Sequence, residues 1–339
     1  MINNLNPYPK QIFVYGSNTR LGEEIAKLLE VPLSPHTTKS FPNGERISHQ
    51  NITVRGKDVY IIFTSLNGGE TDKWIVDYLR FARAVKHGQP HKITAVMPKL
   101  LHQRQDVENR ELRQPKLSDF FPELLKTAGV DRMVVCKLHN PASCTSNPPM
   151  ENVDTTKLII ENIRSKFSDL SNVAVASGDM GGSKYSRKIA EELRVPLIIT
   201  DKDRDPRTGK TRAMKVYTQG DISENIDTVI FVDDLISTFT TLRQAGDALH
   251  KEQTQIVNYC AIATHADFSE ETVENIIQSE FSSVWVTDTV PVGNDFVSAV
   301  QKAGKSIVFI SVAKLIAQTI DNLHNGESVS ALWTKNGQI

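Results

Sequence analysis

The sequence predicts an α/β protein built on two doubly wound, mainly parallel sheets, and three observations carry that prediction. Short apolar runs rich in Val and Ile recur along the chain with few charges inside them, as strands covered on both faces require. Amphipathic stretches lie between those runs, and strand–helix alternation closes a parallel sheet through right-handed crossovers. The rhythm occurs twice, before and after a polar, Pro-containing stretch at Ser143–Asp154, which reads as the natural break.

The first half offers candidate strands at Ile12–Gly16, Asp58–Phe63, Lys92–Pro98 and Arg132–Leu138. The second half offers Val173–Gly178, Leu197–Thr200, Thr228–Asp234, Ile256–Thr264, Val284–Thr289 and Ile307–Ser311. Residues 71–86 place Trp74, Ile75, Tyr78, Leu79, Ala82 and Val85 on one helical stripe. Residues 119–128 read as a helix stopped by Gly129, a C-terminal cap, and 240–252 as another amphipathic helix. The halves share a rhythm but no fixed short repeat, which excludes a solenoid.

Composition narrows the function classes. A chain of 339 residues suits roughly two domains of about 100–200 residues each. Lys plus Arg is 39 and Asp plus Glu is 40, so no global field points to nucleic acid or to an anionic membrane. The three cysteines, Cys136, Cys144 and Cys260, form no CxxC pair; a disulfide framework is not expected, and a reducing, cytoplasmic compartment is. Met1–Lys10 has no apolar signal-peptide core. No run of about 18 apolar residues is present to span a membrane. A few basic residues can still gather into a local anion site without changing the charge sum, and in such sheets ligands bind beyond the carboxyl ends of the strands.

Five signals stand at those ends. Val232-Asp233-Asp234 closes an apolar run and is followed by Ser237, Thr238, Phe239, Thr240 and Thr241 at a helix start. Paired carboxylates there can hold vicinal ribose hydroxyls or a hydrated magnesium ion, and a hydroxyl-rich helix N-terminus can take a phosphate; the plainer reading is a capped helix start. Ser177-Gly178-Asp179-Met180-Gly181-Gly182 is a glycine-rich turn that lets backbone approach an anion, with Asp179 in reach of a metal, or an ordinary tight turn. Asp201-Lys202-Asp203-Arg204 opens a polar stretch to about Gly220. It reads as a flap loop whose bases can neutralise a transferring phosphoryl group, or as a solvated loop. Leu138-His139 ends a strand, where His139 can meet a metal or a phosphate or be simply exposed. Arg104-Gln105-Asp106, with Arg110 and Arg113 following, can bind nucleotide phosphates or be a polar loop.

Taken in order, these residues resemble the ribose-phosphate pyrophosphokinases. The resemblance runs through Phe41-Pro42-Asn43-Gly44-Glu45, Val54-Arg55-Gly56-Lys57-Asp58-Val59, Arg104-Gln105-Asp106, Leu138-His139, Asp179-Met180-Gly181-Gly182, Asp201-Lys202-Asp203-Arg204 and Val232-Asp233-Asp234. It continues through Val286-Thr287-Asp288-Thr289 to His324-Asn325-Gly326-Glu327-Ser328-Val329-Ser330 and so covers nearly the whole chain. It implies two tandem type I phosphoribosyltransferase-like domains with the active site between them. These are an ATP-binding domain at 1–150, on which the tail 319–339 packs, and a ribose-phosphate-binding domain at 151–318. It implies ATP as co-substrate, Mg2+, and dimer-based homo-oligomers up to hexamers. Phe41, Asn43 and Glu45 would contact adenine, often across a subunit interface; Arg104, Gln105 and Asp106 would hold the nucleotide. His139, Asp179 and Asp233 would be metal ligands, His139, Lys202 and Arg204 catalytic. Asp233 and Asp234 would hold the ribose hydroxyls, and Ser237–Thr241 the 5-phosphate.

The chain departs from the family at that last loop, which usually reads Asp-Asp-x-x-Asp-Thr-x-Gly-Thr. Ser237 stands for the third acid, Thr240 for the glycine, and Phe239 is bulky where a small residue is usual. Asn43 replaces an aspartate, Val107 an arginine, and Lys137 the acid before the histidine. Three readings follow. The acceptor is ribose 5-phosphate held by a looser loop. Or it is ADP-ribose, which some phage-encoded relatives pyrophosphorylate in rebuilding NAD, and toward which the clustered changes lean. Or the chain is a non-catalytic regulatory paralogue, against which the retained His139, Asp179, Lys202, Arg204, Asp233 and Asp234 argue. A phosphoribosyltransferase shares the acidic pair but not the matching N-terminal half.

Overall fold

The computed structural model describes residues 6–16, 19–64, 71–145, 147–204, 211–219 and 225–333, without the side chains of residues 71, 202–204 and 211–214. In chain order the first elements are β1 (Lys10–Gly16), α1 (Arg20–Leu28), β2 (His36–Ser40), β3 (Arg46–Gln50), β4 (Asp58–Thr64), α2 (Thr71–His87), β5 (Lys92–Met97), α3 (Phe120–Ala128), β6 (Arg132–Cys136) and β7 (Met150–Val153). There follow α4 (Thr156–Lys166), β8 (Val173–Ser177), α5 (Ser183–Leu193), β9 (Leu197–Arg204), β10 (Thr211–Gln219), β11 (Thr228–Ile236), α6 (Thr240–Glu252) and β12 (Asn258–Ala266). The last are α7 (Thr272–Ile277), β13 (Phe281–Thr287), α8 (Asn294–Lys302), β14 (Ser306–Ile310) and α9 (Ala313–Asn325). The chain divides into two compact units: Met1–Thr155 with Thr289–Pro291 and Ser311–Ile339, and Thr156–Asp288 with Val292–Ile310.

The N-terminal unit is a parallel sheet in the order β1-β4-β5-β6-β7. β4 reads Asp-Val-Tyr-Ile-Ile-Phe-Thr and is buried at every position, the pattern of a strand covered on both faces. On one face Phe13, Ile61, Phe63 and Ile93 pack with Tyr78, Phe81 and Val85 of α2 and Phe121 and Leu125 of α3. Helix α9, from the far end of the chain, packs against α1 and β7. Its His324 reaches Asp58 at 3.4 Å and the Tyr60 hydroxyl at 3.4 Å, and its Asp321 pairs with Lys10 at 2.5 Å. The stretch read as an interdomain break supplies the edge strand β7, paired in parallel with β6 over Met150–Val153; four residues buried only at their two ends, directly after Pro148 and Pro149, carry no strand pattern. A second feature without a sequence signal is the antiparallel hairpin β2–β3, largely exposed and polar, held to α2 through Arg46 on the buried Asp77, which Arg80 of the same helix also pairs.

The C-terminal unit is a seven-stranded sheet ordered β10-β9-β8-β11-β12-β13-β14. All pairs are parallel except β9 with β10. The stretch after Thr200, expected to be a flap loop, is instead a ribbon as far as it is described. β9 continues to Arg204 and pairs with β10, Lys202 facing Met214 in register. Backbone pairing along an edge strand satisfies N–H and C=O groups that a polar composition alone assigned to solvent. Because β9 lies on one side of β8 and β11 on the other, the strand order reverses between β8 and β11. That switch point is where an open α/β sheet leaves a crevice at its carboxyl ends.

Candidate active site

The crevice is deepened by a difference in strand length. Pairing of β11 with β8 stops at Phe231 opposite Ala176. Pairing with β12 runs on through Asp233 opposite Ala263 to Ile236 opposite Ala266. Asp233 and Asp234 therefore stand inside β11, on the stretch where its β8 neighbour has ended; the strand expected to close at Asp234 runs on to Ile236. Ser186 of α5 donates to the Val232 carbonyl at 3.0 Å, fixing the strand just before the pair.

Across the crevice the turn after β8 is tied to itself. Ser177 Oγ donates to the Asp179 carbonyl at 2.6 Å, the Gly182 N–H to Asp179 Oδ1 at 3.0 Å, and Ser183 Oγ to the Met180 carbonyl at 2.6 Å. A Cβ on Gly182 would stand 3.0 Å from Ser177 Oγ and 3.8 Å from both Asp179 Oδ1 and Asp233 Oδ1. The two carboxylates thus border one space that glycine leaves open. Burial pushes the Asp233 carboxyl well above the usual carboxylate range, with the Asp234 and Asp179 charges adding to it, against the Asp234 N–H that it accepts at 2.8 Å. Negative charge gathered this way asks for a cation or for a ligand's donors.

Beyond the acids the chain turns sharply into α6. Phe239 caps the helix in the left-handed region at φ 65° and supplies no side-chain acceptor to the first turn. Its ring is 3 % exposed and meets Phe281 edge-on at 5.1 Å. The ring is therefore core, packed with Phe231 and Leu242, and not bulk added to the loop's open side. Ser237, Thr238, Thr240 and Thr241 stay half-buried along the loop.

The other expected groups are distributed by unit. Lys202 and Arg204 occupy alternate positions of β9; their side chains lie outside the described residues. In the N-terminal unit His139 is exposed just past β6, its N–H donating to the buried Gln103 Oε1 at 3.3 Å. Arg104 and Gln105 are exposed and Asp106 half-buried; the Gln105 carbonyl takes the N–H groups of Leu117 and Ser118 at 2.8 and 3.0 Å. Phe41, Asn43 and Glu45 form the exposed tip of the β2–β3 hairpin, where Asn43 Oδ1 accepts the Glu45 N–H at 3.2 Å and Gly44 turns at φ 86°. Among the described residues no group of three or more His, Cys, Asp or Glu side chains could hold a metal ion, and no helix is long and apolar enough to cross a membrane. Cys136 and Cys260 are buried and Cys144 exposed.

Comparison with known proteins finds two family models along the chain. Residues 10–129 match the model for the N-terminal domain of ribose phosphate pyrophosphokinase, and residues 176–334 that for the phosphoribosyl synthetase-associated domain. The ribose-phosphate pyrophosphokinase of Chromobacterium violaceum is 33% identical over 326 residues, covering 96% of this chain and 94% of the relative. The chain belongs to the ribose-phosphate pyrophosphokinase family. Ribose-phosphate pyrophosphokinase 4 of Saccharomyces cerevisiae is 31% identical over 94% of this chain and 93% of the relative. The crystal structure of phosphoribosylpyrophosphate synthetase from Mycobacterium smegmatis superposes with a TM-score of 0.80 at 26% identity, covering 94% of this chain and 99% of that one. As a member of this pyrophosphokinase family the chain is an enzyme, a transferase on the α/β fold with parallel sheets.

Sequence reasoning missed residues of the C-terminal unit that no motif marks. Thr272 and Asn275 of α7 and Arg243 of α6 bond to the loop or to one another, from 35 and 37 residues away along the chain in the case of the loop contacts. The local signal there is the polar run Ser269-Glu270-Glu271-Thr272 before the apolar residues of α7, and it points only to a turn into a helix.

Proposed function

We propose that the chain transfers the β,γ-diphosphate of ATP to the C1 hydroxyl of ribose 5-phosphate, releasing AMP. The observation that carries this is the pair Asp233–Asp234 at the β8/β11 switch point, followed at once by a hydroxyl-rich helix N-terminus. Acids there can accept hydrogen bonds from the two ribose hydroxyls, and the helix start can take the 5-phosphate. Arg104, Gln105 and Asp106 hold the nucleotide, with Phe41, Asn43 and Glu45 at its adenine and His139 near its phosphates. The C1 hydroxyl attacks the β-phosphorus in line with the departing AMP, while Lys202 and Arg204 balance the charge that develops.

Magnesium fits the acid groups, because it binds through one or two carboxylates plus substrate phosphates and water and needs no all-protein cage. The charge gathered around Asp179, Asp233 and Asp234 supplies those carboxylates, and when bound the ion would neutralise the triphosphate. The lean toward ADP-ribose rested on Ser237, Phe239 and Thr240 clustering where the 5-substituent would lie. The Phe239 ring is in the core, so that change adds no bulk to the loop's open side, and the relatives above are named for ribose phosphate. A dimer-based homo-oligomer, up to a hexamer, belongs to the same proposal and is read by light scattering.

The test is AMP release from ATP and magnesium with ribose 5-phosphate and ADP-ribose offered separately. AMP with ribose 5-phosphate supports the reading; AMP only with ADP-ribose replaces the acceptor; AMP with neither removes the reading.

A further inference from the structure

We infer that Thr272 and Asn275 of α7 are positioning residues that set the conformation of the Ser237–Thr241 loop for an anionic 5-substituent. The inference rests on the reading of that loop as the sugar-phosphate site. The loop lacks the glycine that the family's pattern places at the position of Thr240, so its shape must come from elsewhere. Two side chains supply it. Thr272 Oγ1 donates to the Ser237 carbonyl at 2.5 Å and accepts the Ser269 N–H at 2.9 Å, so its hydroxyl proton is committed to the loop. Asn275 Nδ2 donates to the Thr238 carbonyl at 2.8 Å and to Thr240 Oγ1 at 3.3 Å. Its Oδ1 accepts from Arg243 Nη1 at 3.1 Å. A guanidinium can only donate, so the amide can face in one direction only, with its NH2 toward the loop.

The consequence for a ligand follows from peptide geometry. In a trans peptide the C=O and the next N–H point in opposite directions. Pinning the carbonyls of Ser237 and Thr238 toward α7 turns the N–H groups of Thr238 and Phe239 away from α7. It also removes two carbonyl oxygens that would repel a phosphate. Because Thr240 Oγ1 already accepts from Asn275, its own proton is directed elsewhere. Phe239 holds the third degree of freedom, its ring buried on Phe281 while its backbone stays at φ 65°. Side chains from a neighbouring helix thereby do for this loop what backbone freedom at a glycine does in the usual pattern.

Asn275→Asp, Thr272→Val and Thr272→Ser in the full chain test this. Asp is nearly isosteric, keeps an acceptor for Arg243 and loses the donor that pins Thr238. Steady-state AMP release should show KM for ribose 5-phosphate raised about tenfold in Asn275→Asp and Thr272→Val, with KM for ATP within about twofold. Thr272→Ser, which keeps the hydroxyl, should match the wild type. Hydrogen–deuterium exchange without ligand should be faster across 237–241 in the two disruptive variants and unchanged in Thr272→Ser. Unchanged exchange in Asn275→Asp, or KM for both substrates moving together, overturns the inference. Should the wild type release AMP with ADP-ribose and not with ribose 5-phosphate, the acceptor reading fails by itself, and the exchange comparison still decides the positioning role.

Discussion

In the C-terminal unit the groups proposed to meet ribose are held from behind: Asp233 by β-pairing on one side, Asp179 by its own turn, the loop by Phe239, Thr272 and Asn275. In the N-terminal unit Phe41, Asn43, Glu45, Arg104, Gln105 and His139 stand exposed on a hairpin tip and on strand-end loops. The same kind of sheet underlies both. The difference lies in what surrounds the carboxyl ends of the strands: on the function proposed above, it separates a subsite braced by the core from one carried on exposed side chains. Preorganised charge is expensive to fold around and effective in catalysis, so the two units should respond to substitution in opposite ways.

Asp233→Asn carries the largest expected effect. It should lower kcat/KM by about a hundredfold or more, yet raise the melting temperature by about 2–4 °C. The sign follows from the carboxyl's raised pKa. The folded state binds the proton more tightly than the unfolded one, so the group's stabilisation is present below pH 3.8 and is lost as pH rises through the folded value. At neutral pH the amide removes that penalty. A melting temperature that falls with activity would break the claim that function strains this unit.

Phe239→Gly sharpens the role of the ring. Glycine suits φ 65° better by about 1 kcal/mol, but burying the ring is worth about 3–5 kcal/mol. A net loss of about 2–4 kcal/mol in denaturant melts is expected; a neutral or stabilising result would mean the ring is dispensable to the turn.

His324 gives the N-terminal unit its own pH sensitivity. Burial lowers its pKa from 6.5, with Lys10 adding, against Asp58 and Asp321; the Tyr60 hydroxyl also faces it. Its stabilisation is therefore present above pH 6.5 and lost as pH falls through the depressed value. Melting temperatures taken between pH 7.5 and 5.5 should drop on the acid side, by less in His324→Gln; parallel curves would assign the slope to other groups. The smallest effect is expected from Phe41→Ala. At 40 % exposure on the hairpin tip it should change stability by less than about 0.5 kcal/mol while raising KM for ATP. A larger stability loss would show that the tip is packed in the molecule as it exists in solution.

The alternation of strands and helices was legible in the sequence, because a strand covered on both faces must be mostly apolar, as β4 and β8 are. The sequence also marked where the polar groups leave the apolar runs, since Asp179, Asp233 and His139 come at or just after them. Only the tertiary structure decided how those ends are used. The direction of the Phe239 ring, the extension of β11 beyond β8, the edge strand β7 within a polar stretch, and the braces from Thr272 and Asn275 all depend on partners 14 to 40 and more residues distant. The docking of α9 onto the first unit brings His324 to Tyr60, 264 residues apart. Local pattern records which face of an element is apolar; it does not record which neighbour covers that face or which carbonyl a distant amide will hold.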